Sequence, residues 1–395
     1  MLIGIIGKPN VGKSTFFKAA TLAEVAIAPY PFTTIKANEG VGFVRVECPE
    51  QELGLKCKPN HGFCIQSQRF IPVKLLDVAG LVPGAHQGKG LGNQFLDDLR
   101  QADVLIHVID ASGLTNEEGK PTEGYDPCKD VKFLEGEIDL WFYGIITRNW
   151  RTLIRKLESS DKPVQELATQ FSGLKISEEM IKKAIKLSEL NERFIEWQDF
   201  QIMEFVKTLR KLSKPIIIAA NKIDLSSSKE NIEKLKKEFS ELLIVPCSAE
   251  SELALREATR DKLIEYIPGD KDFKIIEEDK LNENQKKALK FIKEKILVQE
   301  QGTGIQQCLN AAVFTFLKYI TVYPVENENK FTDSKGNVLP DVFLMPSNSS
   351  ALDLAFAIHT DIGNNFIAAI DARTKKRLSK DYKLKDKDIV RIMTK

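Results

Sequence analysis

The sequence predicts an α/β protein with a helical insertion and a small C-terminal module of short strands. Three observations lead there. Apolar runs such as LIGII (2–6), FIPVKLLD (70–77), VLIHVID (104–110) and PIIIAAN (215–221) read as strands that end in polar or glycine-rich turns. Residues 131–208 are rich in helix formers. From Tyr319 onward YITVYPV, DVFLMP, FIAAIDA and DIVRIMTK read as short strands divided by turns.

The first strand breaks into Gly7 and continues as G-x-x-x-x-G-K-S through Ser14. Glycines permit backbone angles at which successive N–H groups converge on one anion, and the following helix adds its positive end. Residues Gly7, Lys8, Pro9, Asn10, Val11, Gly12, Lys13, Ser14 and Thr15 are therefore candidate phosphate binders. Lys13 would reach the β- and γ-phosphates, and the Ser14 hydroxyl would bind Mg²⁺.

Further pieces follow in chain order. Thr33 and Thr34, in YPFTTI, both qualify to cover the nucleotide, and Thr34 is taken as the Mg²⁺ ligand. Asp77 closes its strand where a carboxylate can hold Mg²⁺ through water, and Gly80 can donate its N–H to a γ-phosphate. Asn221-Lys222-Ile223-Asp224 reads N-K-x-D. Guanine presents N1–H and an exocyclic amine side by side, so the Asp224 carboxylate can accept both bonds; adenine has neither donor there. Lys222 would lie along the base, and Asn221 would tie this turn to the phosphate turn. Ser248-Ala249-Glu250 offers a backbone N–H to guanine O6, although S-A-E also resembles a helix start.

Composition sets limits. The 395 residues suit two or three domains, and 43% hydrophobic with 29% charged residues describes a globular chain with ample core. A formal net charge of +1 argues against a strongly basic nucleic-acid binder but leaves room for a local basic face. Six cysteines are too sparse for a disulfide scaffold. Without a span of transmembrane length or a signal-peptide pattern, a cytoplasmic location and no membrane partner are expected; the oligomeric state is left open, with a monomer favoured.

Together GKPNVGKSTFF, YPFTTI, DVAGLVPGAHQGKGLGNQFLDDLRQAD and NKID resemble the Obg branch of the translation-factor GTPases, most closely the YchF-type (Obg-like ATPase) subfamily. The resemblance implies a P-loop NTPase G domain at 1–130 and 209–270, a coiled-coil-like helical insertion at 131–208, a connecting helical segment at 271–318 and a β-grasp TGS-like domain at 319–395. It further implies GTP and GDP as ligands, Mg²⁺ as cofactor, GTP hydrolysis as activity, and the ribosome, its subunits or RNA as partner. Some members end the base motif in glutamate and prefer ATP; this chain keeps Asp224, so GTP is expected and ATP is the alternative.

Leu81 follows Gly80 where Ras-like enzymes place a water-orienting glutamine. Water would then be positioned by another group, and His107 and His86 are the candidates. Asn10 accompanies K⁺ in some related GTPases, or else makes a loop hydrogen bond. Cys48, Cys57, His61 and Cys64 offer a Cys₃His zinc site, with a disulfide or plain thiols as the other readings. Within 131–208, Leu187, Leu190, Phe194 and Trp197 fall on one helical stripe, and a helical hairpin is expected. In the C-terminal module SSALDLAFAIHTDIG reads as one capped helix, and Arg373, Lys375, Lys376 and Arg377 form either a phosphate-binding turn or a solvated one.

Overall fold

The computed structural model describes residues 1–22, 38–78 and 92–395. Thr33, Thr34, Gly80, Leu81 and His86 lie outside the described residues. Contact density divides the chain into two compact units: one holds Met1–Ala20 and Lys74–Cys308, the other Val41–Val73 and Leu309–Lys395.

The first unit is built on parallel strands clothed in helices, and the strand residues between Val41 and Val73 belong to the second unit. In the chain, β1 (Leu2–Ile6) precedes β2 (Glu39–Glu47), β3 (Phe63–Ile65), β4 (Gln68–Asp77), β5 (Val104–Asp110), β6 (Ile216–Asn221) and β7 (Leu243–Pro246), and the spatial order is β2-β4-β1-β5-β6-β7. The end of β4 pairs parallel to β1, β1 to β5, β5 to β6 and β6 to β7. β5 and β6 are buried at every position, as expected of strands covered on both faces. From β1 the chain goes to β4 on one side and β5 on the other. The carboxyl end of β1 is thus a topological switch point, where open α/β sheets take ligands.

The region expected as a helical hairpin is a bundle instead. It comprises Cys128–Thr147, Trp150–Glu158, Pro163–Gln170, Glu178–Leu187 and Asp199–Ser213. The expected stripe does not lie on one helix. The helix stops at Leu187, which is exposed; Glu189 turns left-handed; and Phe194 and Trp197 are buried beyond the break. Asn191 organises that turn, its Oδ1 accepting from the Arg193 N–H and its carbonyl from the Trp197 indole at 3.0 Å. Trp197 packs against Trp150, Phe194 and Phe205 in a core continuous with the sheet. Arg210, 2% exposed, fastens the longest helix through Asp139 (2.8 Å) and Glu135 (2.9 Å). A two-stranded ribbon of β8 (Ile264–Glu265) and β9 (Lys274–Ile275) follows, then the helix Glu283–Phe291.

In the second unit β10 (Tyr319–Val325), β11 (Phe343–Pro346), β12 (Phe366–Asp371), β13 (Arg377–Leu378) and β14 (Asp388–Thr394) form a sheet of order β11-β10-β14-β12-β13. Its core is Val322, Leu354, Ala369 and Val390 with their neighbours. The single helix expected before Gly363 is two. Ser350 caps Ala351–Ile358 through a capping box, and the chain then turns extended at His359, whose Nδ1 caps Thr360–Asn364. Among the described residues, no helix is long and apolar enough to cross a membrane.

Candidate functional site

Four strand ends converge at the switch point. β1 delivers the turn Gly7–Gly12, after which the helix Lys13–Thr21 begins, the Phe16 N–H donating to the Gly12 carbonyl at 2.9 Å. β4 delivers Asp77, opposite Ile5 in register, and its carboxylate is ion-paired with the Lys13 ammonium. β6 delivers Asn221, Lys222 and Asp224, and β7 delivers Ser248 through Glu250. Between them lies a cleft of ≈ 490 Å³, lined by Lys8–Asn10 and Gly12–Thr15 of the candidate phosphate turn together with Asn221, Lys222, Asp224 and Glu250.

Asn221 is the joint of this site. Its Nδ2 donates to the Val11 carbonyl at 2.8 Å, and its Oδ1 accepts the Ala249 N–H at 3.0 Å. One buried side chain therefore sets the spacing between the candidate phosphate turn and the candidate base turn. Lys222 is left-handed, φ 69°, which turns its side chain to Asp110 at 2.7 Å. Asp110 is fixed in turn by Ser112 and Thr115. The Asp224 carboxylate accepts from the Ser248 hydroxyl at 2.9 Å and still lines the cleft. Ser248 also caps the helix Ala249–Arg260, so the helix start and the candidate base turn are the same residues.

Lys8 departs from a phosphate-contacting role. It is 7% exposed, and its Nζ donates to the Thr115 carbonyl at 2.9 Å and pairs with Asp130 at 2.8 Å, beneath the Tyr125 ring. It anchors the turn to the segment after β5. Asn10 makes the loop hydrogen bond, donating to the Gly119 carbonyl at 3.0 Å.

His107 does not line the cleft. It sits within β5 between Ile6 and Ile218, 3% exposed, with Nδ1 unpartnered. Burial, with the Lys8 charge adding to it, drops its pKa to about 3. A neutral imidazole enclosed by the sheet is out of reach of an attacking water, and the expectation for His107 gives way to a core role. The unfolded imidazole titrates near 6.5, so between that pH and about 3 the unfolded chain takes a proton that the folded chain refuses. This contribution to stability is complete above pH ~6.5 and falls as the pH drops, by up to ~1.4 kcal/mol per pH unit. His107→Leu is expected to flatten the acid limb of urea-unfolding stability between pH 6 and 4, roughly the window set by those two pKa values; an unchanged slope would contradict the assignment.

The candidate zinc residues are brought together in part. Cys48, Cys57 and Cys64 cluster, but the group that joins them is Glu50. His61 points to Asp341, 3.9 Å away. Of the C-terminal basic residues, Arg373 is held by Glu52 (2.9 and 3.1 Å) and the Lys387 carbonyl, and Lys375 by the Ala372 and Glu328 carbonyls. Lys376 and Arg377 are exposed.

Two contributions had no signal in the spacing of the motifs. Thr303 accepts the Ser248 N–H on its carbonyl at 3.0 Å and donates its hydroxyl to the buried Glu252 at 2.6 Å, bracing the base turn from 55 residues downstream. The 116–120 turn, through Gly119, abuts Pro9 and Asn10.

Comparison with known proteins shows which families the chain resembles. Residues 2–132 match the family described as 50S ribosome-binding GTPase, 219–327 the Obg-like GTPase YGR210-like, G4 motif-containing domain, and 331–394 the TGS domain. An uncharacterized GTP-binding protein of Methanocaldococcus jannaschii is 51% identical over 393 residues, covering 100% of this chain and 99% of that one. The ribosome-binding ATPase YchF of Bacillus subtilis is 32% identical over 265 residues, 64% of this chain and 66% of that one. The crystal structure of a GTP-binding protein from Pyrococcus horikoshii superposes with a TM-score of 0.79 at 40% identity, covering 100% of both chains.

Proposed function

The chain belongs to the Obg-like, YchF-type family of P-loop GTPases, and on that premise we propose that it is a GTP-hydrolysing switch read by a ribosomal or other RNA–protein particle in the cytoplasm. The observation that carries this reading is the double hydrogen bond of Asn221, which ties the turn that carries Asp224 to the candidate phosphate turn. Asp224 then selects guanine through two accepted bonds, and Lys222 lies along the base.

Mg²⁺ fits the donors present. The Ser14 hydroxyl lines the cleft and the Asp77 carboxylate is ion-paired with Lys13, which lines it too; both are hard oxygens, and Lys13 beside Asp77 marks where a phosphate would enter. Ser14 and Asp77 would hold the ion, with Thr34 added from outside the described residues. When bound, Mg²⁺ neutralises charge on the β- and γ-phosphate oxygens. Lys13 would meet the same oxygens, and the N–H groups of the Gly7–Gly12 turn would cradle them. Leu81 cannot orient water, so intrinsic turnover should be slow, near ~10⁻⁴–10⁻³ s⁻¹.

The domain division proposed is a nucleotide-binding core at 1–130 and 209–270, a helical insertion at 131–208, a connector at 271–318 and a TGS domain from 319. A partner role is supported by the TGS match and by the name of the Bacillus relative. Residues 41–73 share a compact unit with 309–395, so deleting 319–395 would strip a core rather than remove a free module. Charge reversal is cleaner. Lys376→Glu with Arg377→Glu is expected to weaken co-sedimentation with ribosomal particles and flatten its salt dependence, while GTP affinity is unchanged. Wild-type protein that stays in the supernatant at low salt with a non-hydrolysable GTP analogue would remove the particle from this reading.

A further inference from the structure

Three cysteines and a buried glutamate gather on the segment between β2 and β4. Cys48 follows β2; Glu50 opens the single helical turn Glu50–Leu53; Cys57 lies in the loop beyond; and Cys64 is the middle residue of β3. One ligand atom from each lies within 4.8 Å of all the others. We propose that Cys48, Glu50, Cys57 and Cys64 form a mononuclear Cys₃Glu zinc site that staples this segment into the second unit.

The local chain is built to bring these atoms together. The hairpin β3–β4 turns through Gln66 and Ser67, both left-handed, as a two-residue connection requires. That register sets Cys64 opposite Arg69. Gly62, φ 72°, brings the loop onto β4 so closely that a Cβ there would lie 2.1 Å from the Phe70 carbonyl oxygen. The Cys57 N–H donates to Glu50 Oε2 at 2.7 Å, the Cys64 thiol faces Oε1 at 3.5 Å, and the Glu50 N–H points at the Cys48 sulfur. The loop is pinned from its other side by the Lys58 and Asn60 N–H groups, which donate to the Val338 and Pro340 carbonyls at 2.8 Å.

Charge and stoichiometry favour a metal over the other occupations of such a cluster. Glu50 is 8% exposed, and among the described residues its carboxylate has no cationic nitrogen within ion-pair reach. A buried carboxylate without a counter-charge is costly, and a divalent cation supplies one. A disulfide would consume two of the three sulfurs, leave the third unmatched and leave Glu50 as it was. Three thiolates select a borderline-soft metal over Mg²⁺ or Ca²⁺. Tetrahedral Zn–S bonds of about 2.3 Å put sulfurs about 3.8 Å apart, so the cluster need contract by no more than about 1 Å. Arg69, fully buried, completes the surroundings. Its Nη1 lies 3.6 Å from the Cys57 sulfur, and its two Nη groups donate to the Leu339 and Pro340 carbonyls at 3.1 and 3.0 Å. It offsets excess thiolate charge and orients a ligand, as outer-shell groups of zinc sites do.

The test uses the full-length chain, purified reduced from zinc-supplemented medium. Elemental analysis is expected to find about one zinc per chain. Replacement by Co²⁺ is expected to give thiolate charge-transfer and tetrahedral d–d bands. Glu50→Cys and His61→Ala should both keep the ion, the former with a stronger charge-transfer band; Glu50→Gln should lower zinc affinity at least ~10-fold against a chromophoric chelator. Cys57→Ser should lose the ion, and the two retaining variants keep the proposal testable if that protein does not fold. Wild-type protein without zinc or a cobalt spectrum overturns it. So does loss of the ion in His61→Ala with retention in Glu50→Gln, or a quantitative disulfide between two of the three cysteines in the reduced preparation.

Discussion

Gly12→Ala is expected to abolish nucleotide binding, lowering affinity for GDP and GTP alike by more than ~100-fold, while far-UV circular dichroism stays native. Gly12 has φ 91°, where an L side chain is strained at a cost of about 1–2 kcal/mol. The added Cβ would lie 2.3 Å from Asn221 Nδ2. That nitrogen is not a compliant tip, because Asn221 is held at both ends by Val11 and Ala249. Something must break. Either the phosphate turn moves outward or Asn221 lets go, at about 0.5–1.5 kcal/mol for each hydrogen bond lost and more if a buried group is stranded. Both routes separate the phosphate turn from the base turn, so affinity should fall for every phosphorylated guanosine. Calorimetric titration with GDP checks this. Affinity within a few-fold of wild type would show that Asn221 does not set the geometry of the cleft.

Asp224→Asn is expected to move the preference from guanine to xanthine nucleotides. The Asp224 carboxylate accepts from Ser248 and lines the cleft, leaving acceptor capacity for guanine N1–H and the exocyclic amine. An asparagine presents one acceptor and one donor. The donor opposes guanine's amine and matches the C2 oxygen of xanthine. A bidentate base contact is worth about 1–3 kcal/mol, so guanine affinity should fall roughly 5- to 150-fold while xanthine affinity rises. Competition between XDP and GDP for a fluorescent nucleotide analogue measures the exchange. A uniform loss for both bases would mean that the substitution only disturbed the turn through Ser248.

The parts of this molecule legible in its sequence are those whose geometry is local. Gly7 to Ser14 and Asn221 to Asp224 are short, contiguous, and attached to strands buried on both faces. Their chemistry follows from residue type, and the structure brings Lys13, Asn221 and Asp224 to one cleft, with Asp77 ion-paired to Lys13. His107 shows the limit. In a strand buried at every position the pattern does not say which way a side chain points, and an imidazole in the sheet reads like one at its edge. Thr303 braces Ser248 across 55 residues, a pairing no periodicity encodes. Glu50 was hidden because ligand spacing pointed to His61, whereas the β3–β4 register and the Cys57 N–H select the nearer carboxylate. The hairpin expected at 131–208 failed at Glu189, a left-handed residue that ends one helix and redirects Phe194 and Trp197 inward.

The central claim is that this P-loop site is built for guanine. Affinities of the wild-type chain for GTP and ATP, measured side by side with Mg²⁺ by competition against one fluorescent nucleotide, test it most directly. GTP should bind at least ~10-fold more tightly, the lower part of the range for a bidentate base contact. Equal affinity, or tighter binding of ATP, would contradict the account.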